Sequence, residues 1–379
     1  MPKLDNYIER KKSVLTGQES LELLYSLKNF PVFMGCVDEV SDEDIVADMD
    51  WYICRDTGMI QLKKLIPLEV LYLNQHNEGC GSVWREHYSA FSKFLQVYAP
   101  KNILEIGGAH GLIAKDYLKV IPETNWTIIE PNPTIVDDPR IKVIKKWFDN
   151  KFIFDGRIEA IVHSHVLEHT FNPAEFITNV AKFLESGQKH IFTFPNMFEQ
   201  LSRKYTNCLN FEHTVFLTEH FTDYLLIKNG FKILRKEYFR DHSIFYATEK
   251  IDVVTLQPPT DQYNLNKKLF LDFTNYHEKL VVELNQKIAA AKQPVYLFGA
   301  HIFSQYLIAF GLDVTKIKGI LDHGINKCGK RLYGTKFKIE HPRVLAGKGA
   351  INVILKAGAY NEEIKKDISE NINNKVNFW

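Results

Sequence analysis

Three groups of residues in this 379-residue chain have types and spacings suited to chemistry. The first is Glu105-Ile106-Gly107-Gly108-Ala109-His110-Gly111, an acid followed by three closely spaced glycines. Glycine removes Cβ where a backbone turns sharply and a ligand must come close. A helix opening after such a turn aims N–H groups at the ligand and favours an anionic part such as a carboxylate. The second is Glu130, which closes the apolar run Trp126-Thr127-Ile128-Ile129 and is placed to accept hydrogen bonds from ribose hydroxyls. The third is a set of histidines: His163, His165 and His169, then the dipeptide Glu212-His213. Histidine titrates near neutral pH, so His213 suits proton abstraction. A surface loop with incidental polar residues is the competing reading of Glu212-His213.

Those groups need elements to carry them. Ile103, Leu104 and Ile106 predict a buried parallel strand, with a helix over about Leu112 to Lys119. Further strands are expected at Trp126–Glu130, Ile141–Ile144, Ala160–His165 and His190–Asn196. Asn172-Pro173 starts a helix with proline at an acceptable first position. Alternating strands and helices make an α/β sheet, and ligands bind such sheets at the carboxyl ends of the strands. Trp147 and Phe148 follow the third strand, where an aromatic can flank adenine or simply join the core.

Before this region, Val32–Cys36 and Trp51–Cys54 read as short strands of a small β-rich domain over residues 1–72. Thr57 stands where Cys54-Arg55-Asp56-Thr57-Gly58 would need a second cysteine to bind zinc. Two isolated thiols, Cys36 and Cys54, do not make a four-ligand site, and no acid or cysteine completes a metal set with the three histidines, so no metal is expected. The small-residue loop Gln75–Ser82 leads into a helix reaching about Val97 and either covers a ligand or merely connects domains. The main domain spans 73–255. In 256–379, a helix with the stripe Leu265, Leu269, Phe273, Leu280, Val281, Leu284 and Ile288 precedes a second strand and glycine turn at Pro294–His301. That turn alone is weak grounds for a ligand.

Composition narrows the class. The chain is 45% hydrophobic with a net charge of +1, which gives no case for nucleic acid or an anionic membrane. No apolar run is long enough to span a membrane, and the polar Met1–Leu15 predicts no signal peptide. Five scattered cysteines fit a reducing cytoplasm.

The spacing E-x-G-x-x-x-G, which fails the dinucleotide pattern G-x-G-x-x-G, resembles motif I of the class I S-adenosylmethionine (SAM) methyltransferases. The whole chain resembles the SAM-dependent sugar C-methyltransferases, which act on nucleotide-linked ketosugars in deoxysugar biosynthesis. Gly81–His87, Leu167-Glu168-His169, Phe211-Glu212-His213, Phe298-Gly299-Ala300, Asp322 and Ala359–Ile364 carry that likeness. It implies a class I (Rossmann-like) SAM domain between a degenerate zinc ribbon and a C-terminal Rossmann-like α/β domain. It implies SAM on Glu105, Gly107, Gly108, Gly111, Glu130, Trp147 and His165. It implies a nucleotide-sugar substrate, cytoplasmic location, and a monomer or homodimer. His213 is then the base, with Glu212 and His169 orienting it or stabilising an enolate. Asn210 replaces a family tyrosine, which leaves substrate and methylation site open. Sugar O-methylation and a non-catalytic binding relic remain as alternatives.

Overall fold

The computed structural model describes all residues except 5, 40, 72–80, 134–137, 253–256 and 260–261, and the side chain of residue 41. The loop expected at Gln75–Cys80 therefore falls outside the described residues. The centre is a seven-stranded sheet. Its strands are β1 (Asn102–Ile106), β2 (Asn125–Ile129), β3 (Ile141–Ile144), β4 (Ala160–Ser164), β5 (Lys189–Pro195), β6 (Phe231–Phe239) and β7 (Ser243–Lys250). They lie in the order 3-2-1-4-5-7-6. Neighbours among β1 to β5 run parallel, and β7 runs antiparallel between β5 and β6. This is the class I Rossmann-like methyltransferase architecture.

Helices α1 (Ser82–Gln96), α2 (Leu112–Leu118) and α3 (Pro173–Lys182) support the sheet. Asn172 caps α3 by accepting the Glu175 N–H at 3.2 Å, as its position before proline predicts. Buried Ile103, Leu104 and Ile106 make β1 apolar on both faces, the pattern of a central parallel strand. Because β7 is antiparallel, Ser243 pairs with Pro195. The β6–β7 hairpin tip therefore joins the carboxyl ends of β1 to β5 on one edge.

The N-terminal region pairs Leu21–Pro31, Val46–Cys54 and Ile60–Leu62 into an antiparallel sheet. The strand expected at Val32–Cys36 is not one: only Cys36–Val37 pairs, and its partner is Arg331–Leu332 near the far end of the chain. Val32, Phe33 and Met34 are buried by packing instead. Cys54 Sγ sits 3.1 Å from Ser20 Oγ, while Cys36 faces the Ala300 carbonyl at 3.5 Å. The two thiols thus serve different neighbours.

This module shares one apolar core with the central sheet, uniting Phe30, Trp51 and Ile60 with Phe192, Phe211 and Phe216. Each such fully buried large side chain contributes about 1.5–3 kcal/mol. Helix α4 (Tyr263–Ala290) lies across it. Its buried face is Asn266, Phe270, Phe273, Thr274, His277, Val281, Leu284 and Ile288. Leu265, expected inside, is 46% exposed. Here α4 starts against the backbone of Gly58. A Cβ on Gly58 would lie 2.3 Å from the Gln262 carbonyl carbon, and Asn266 Nδ2 donates to the Gly58 carbonyl at 3.0 Å. Beyond α4, a five-stranded parallel sheet completes the chain.

Candidate functional site

The turn after β1 is built around missing side chains. Gly107 has φ +73 and Gly111 φ +63. A Cβ on Gly107 would stand 2.6 Å from Val166 Cγ2, and one on Gly108 would stand 2.7 Å from Glu105 Cδ. Glycine here serves packing as well as ligand approach. Glu105 lies beneath the turn, 2% exposed. Its Oε2 accepts the Trp126 indole N–H at 2.7 Å. Burial pushes its carboxyl up to about 7, and the charge of Glu130 adds to the rise. The expected direct contact between Glu105 and a ligand does not fit this placement; Glu105 braces the turn from below.

Glu130 sits at the rim after β2, with only part of its surface buried. Its Oε1 accepts the Asn132 N–H at 3.0 Å. The aromatic pair divides: Phe148 packs on Phe152, Phe176 and Phe183, and Trp147 is 56% exposed. Trp147 is thus the member left to meet a ligand. The spacing of the glycines and the carboxylate of Glu130 fit a nucleoside with hydroxyls to bind.

Glu212 and His213 lie in a loop after β5. Asn210 Oδ1 accepts the backbone N–H groups of Glu212 at 2.8 Å and His213 at 2.9 Å. Asn210 is therefore what shapes this turn. His213 Nδ1 lies 3.1 Å from the Cys208 carbonyl. A carbonyl only accepts, so Nδ1 carries the proton and Nε2 presents its lone pair. That Nε2 faces His169 Nε2 at 3.4 Å, and His169 Nδ1 is 3.5 Å from Glu212 Oε2. The sequence-predicted trio therefore meets in space. Desolvation holds the His213 imidazolium below the usual histidine range, partly offset by Glu168.

Other elements clamp the loop. Phe216 N donates to the Ile60 carbonyl at 2.8 Å, and Leu62 N donates to the Thr214 carbonyl at 2.9 Å. Arg10 donates to the carbonyls of Leu62, Thr214 and Phe171. Tyr306 donates to the Leu209 carbonyl. No local pattern marks Arg10 or Tyr306 as partners of a loop about 200 and 100 residues away.

The remaining histidines sort differently. His163 pairs with His190, Nε2 to Nε2 at 3.0 Å, inside the core. His165 has φ +53 and lies with His87 and His242, ring centroids 5.1 and 5.5 Å away. Its expected place on the cofactor is thus beside the turn, next to Val166, within a cluster of imidazoles. Burial pushes His165 and His242 down to about 3 and His87 well below the usual range, so all three are neutral. Among the described residues, ligand atoms lie within 4.8 Å of one another in two groups, His87-His165-His242 and Glu168-His169-His213. Sequence reasoning passed over Glu168 and His242. Glu168 is 2% exposed, and burial pushes its carboxyl up to about 7.

Residues 83–236 match the family model described as a methyltransferase domain. No curated protein matches the chain. Solved structures similar to it include an O-methyltransferase family protein from Burkholderia thailandensis, at 12% identity and TM-score 0.37, over 45% of this chain and 57% of that one. The chain thus spans little more than half the length of that protein. Another is a putative S-adenosylmethionine dependent methyltransferase from Listeria monocytogenes, at 15% identity and TM-score 0.36, over 45% of this chain and 100% of that one. A third is the plantazolicin methyltransferase BpumL in complex with an analog and SAH, at 12% identity and TM-score 0.35, over 45% and 84%. The middle of this chain is thus similar to a methyltransferase domain. No helix among the described residues is long and apolar enough to cross a membrane.

Proposed function

We propose that this protein methylates a carbon beside the ketone of a nucleotide-linked sugar, with His213 as the base. The observation that carries the reading is the His213 ring itself. Its Nδ1–H is held by the Cys208 carbonyl, so the Nε2 lone pair is presented beside His169. His213 Nε2 takes the proton from the carbon, and the electron pair of the broken C–H bond spreads onto the ketone oxygen. SAM supplies an electrophilic methyl group, which that carbon accepts as the methyl–sulfur bond breaks towards sulfur. His169 stabilises the charged base, and Glu212 Oε2 orients His169 from 3.5 Å. Such a base supplies ~10²–10⁴ in rate. Glu130 would hold the ribose hydroxyls, and Trp147 would flank the adenine. The glycines of the turn leave room for the methionine end. The sugar is inferred from the likeness of the whole chain to the sugar C-methyltransferases.

The test is mass spectrometry of nucleotide ketosugars incubated with the protein and methyl-labelled SAM. The expected product carries the label on carbon, and solvent deuterium enters the same carbon even without methyl transfer. Label on oxygen, with no exchange at carbon, would replace this reading by hydroxyl activation.

A further inference from the structure

The proposed reaction leaves three imidazoles at the same sheet edge unused. They come from three separate elements: His87 from α1, His165 from the end of β4, and His242 from the β6–β7 tip. Each ring is held from outside through one nitrogen. His87 Nε2 lies 3.3 Å from Thr193 Oγ1. His165 Nδ1 lies 2.9 Å from Glu168 Oε1. His242 Nδ1 lies 2.5 Å from Ser243 Oγ. This leaves His87 Nδ1 and His242 Nε2 for a shared occupant, while His165 Nε2 already faces the Ser243 hydroxyl. His87 Nδ1 is fully buried with no hydrogen-bond partner, an unmet acceptor or donor that a bound occupant would satisfy. Ser243 Oγ is also 2.9 Å from His165 Nε2. Its single proton cannot satisfy every lone pair in the cluster.

We propose that His87, His165 and His242 form a site for one divalent transition-metal ion of the zinc type. Three neutral imidazoles with an open fourth position are a zinc ligand set. The fourth place falls to a water or to the Ser243 hydroxyl. The Glu168 carboxylate, 2.9 Å from the far nitrogen of His165 and itself buried without a hydrogen-bond partner, would offset the ion's charge. Trp84 covers His165 and His242 edge-on, both ring centroids 4.8 Å away, and Phe239 and Phe245 cover His87. The three rings now place ligand atoms within 4.8 Å of one another. Around a tetrahedral ion bound at about 2.1 Å the nitrogens stand roughly 3.4 Å apart, so the rings close in by about an ångström on loading. The positive φ of His165 is a strained backbone, which functional sites retain. An ion here would tie α1 to the hairpin, next to Val166 and the glycine turn.

The test strips the full chain with a chelator and titrates it with zinc and, separately, with cobalt. One ion should bind per chain, raise the melting temperature, and give cobalt a visible spectrum without thiolate charge-transfer bands. His242→Gln and His165→Gln should each weaken zinc at least ~100-fold and lose the zinc-induced rise in melting temperature. Their metal-free melts, close to that of the metal-free parent, show that folding is intact. Cys54→Ser and His169→Gln should bind as the parent does. An unmodified chain that binds no zinc would overturn the proposal. So would zinc binding lost in His169→Gln but kept in His242→Gln and His165→Gln, which would move the ion to the Glu168-His169-His213 group. These readouts measure binding alone, so they fail independently of the proposed methyl transfer.

Discussion

The central and C-terminal sheets each contain a strand, a glycine turn and a helix, then a second strand ending in an acid. In the central sheet these are β1, Gly107–Gly111, α2 and Glu130. In the C-terminal sheet they are Val295–Phe298, Gly299, Ile302–Ala309 and Asp322. The acids differ in what they hold. Asp322 Oδ2 accepts the Ala300 N–H at 2.8 Å and Lys327 Nζ at 3.1 Å, and Oδ1 accepts the Gly324 N–H at 2.8 Å. Both its oxygens are engaged in its own domain. The Oε1 atom of Glu130 reaches only as far as Asn132, two residues on. The position two before the first glycine differs as well: Glu105 in one sheet, fully buried Leu297 in the other. A shared supersecondary unit can therefore leave its acid at the rim in one place and build it into a structural joint in another. The acid's existing partners separate the two.

This contrast can be broken by paired substitutions. The largest effect belongs to His213→Ala, which should cut turnover by ~10²–10⁴ while leaving SAM affinity almost unchanged. Its counterpart His301→Ala, at the C-terminal turn, should leave turnover near normal. A near-normal His213→Ala would hand the base role to His169.

Next comes the buried acid. Glu105 is raised from 4.5 to about 7 by burial. Between those values the folded chain holds a proton that the unfolded chain has released, so stability falls as pH rises. The loss is roughly 3 kcal/mol once pH exceeds 7. Glu105→Gln keeps an acceptor for Trp126 without the charge. In SAM-free thermal melts, that variant should gain stability relative to the parent on moving from pH 5 to pH 8. Parallel pH curves for the two proteins would count against the raised Glu105 carboxyl.

Glu130→Ala should weaken SAM by about 1.5–3 kcal/mol, the scale of a lost charged acceptor. Asp322→Ala should instead lower the melting temperature and spare SAM affinity in calorimetry. If Asp322→Ala weakens SAM as much as Glu130→Ala does, the two turns are not distinct in the way described. The smallest effect is in the pH profile. His213 acts as a base only when neutral, and its pKa lies below 6.5. Acid loss of activity should set in only below pH 6.5, and an acid limb centred above it would point to another group.

Much of the central sheet was legible because its signals are local. Runs such as Ile103-Leu104-Ile106 and the glycines after them fix strand, turn and helix within a dozen residues. Glu212-His213 and His169 could be singled out by type, and their loops come together as the sheet order requires. What stayed hidden depends on distant partners. Val32-Phe33-Met34 is as apolar as a strand, yet it is buried by packing. The start of α4 packs on Gly58, about 200 residues earlier, a contact its own apolar stripe does not reveal. His242 looks like an ordinary hairpin residue until β7 is known to run antiparallel. Glu105 has the motif's spacing, but only packing shows it beneath the turn.

The clamp on the loop that carries His213 has a mechanical consequence. That loop completes a sheet edge through Ile60 and Leu62, and it is gripped by Arg10 and Tyr306. It cannot swing as a lid without tearing strand hydrogen bonds in another part of the chain. If His213 is the base proposed above, substrate must enter past some other segment while that base stays fixed. What the N-terminal module contributes to the loop that carries His213 is a splint.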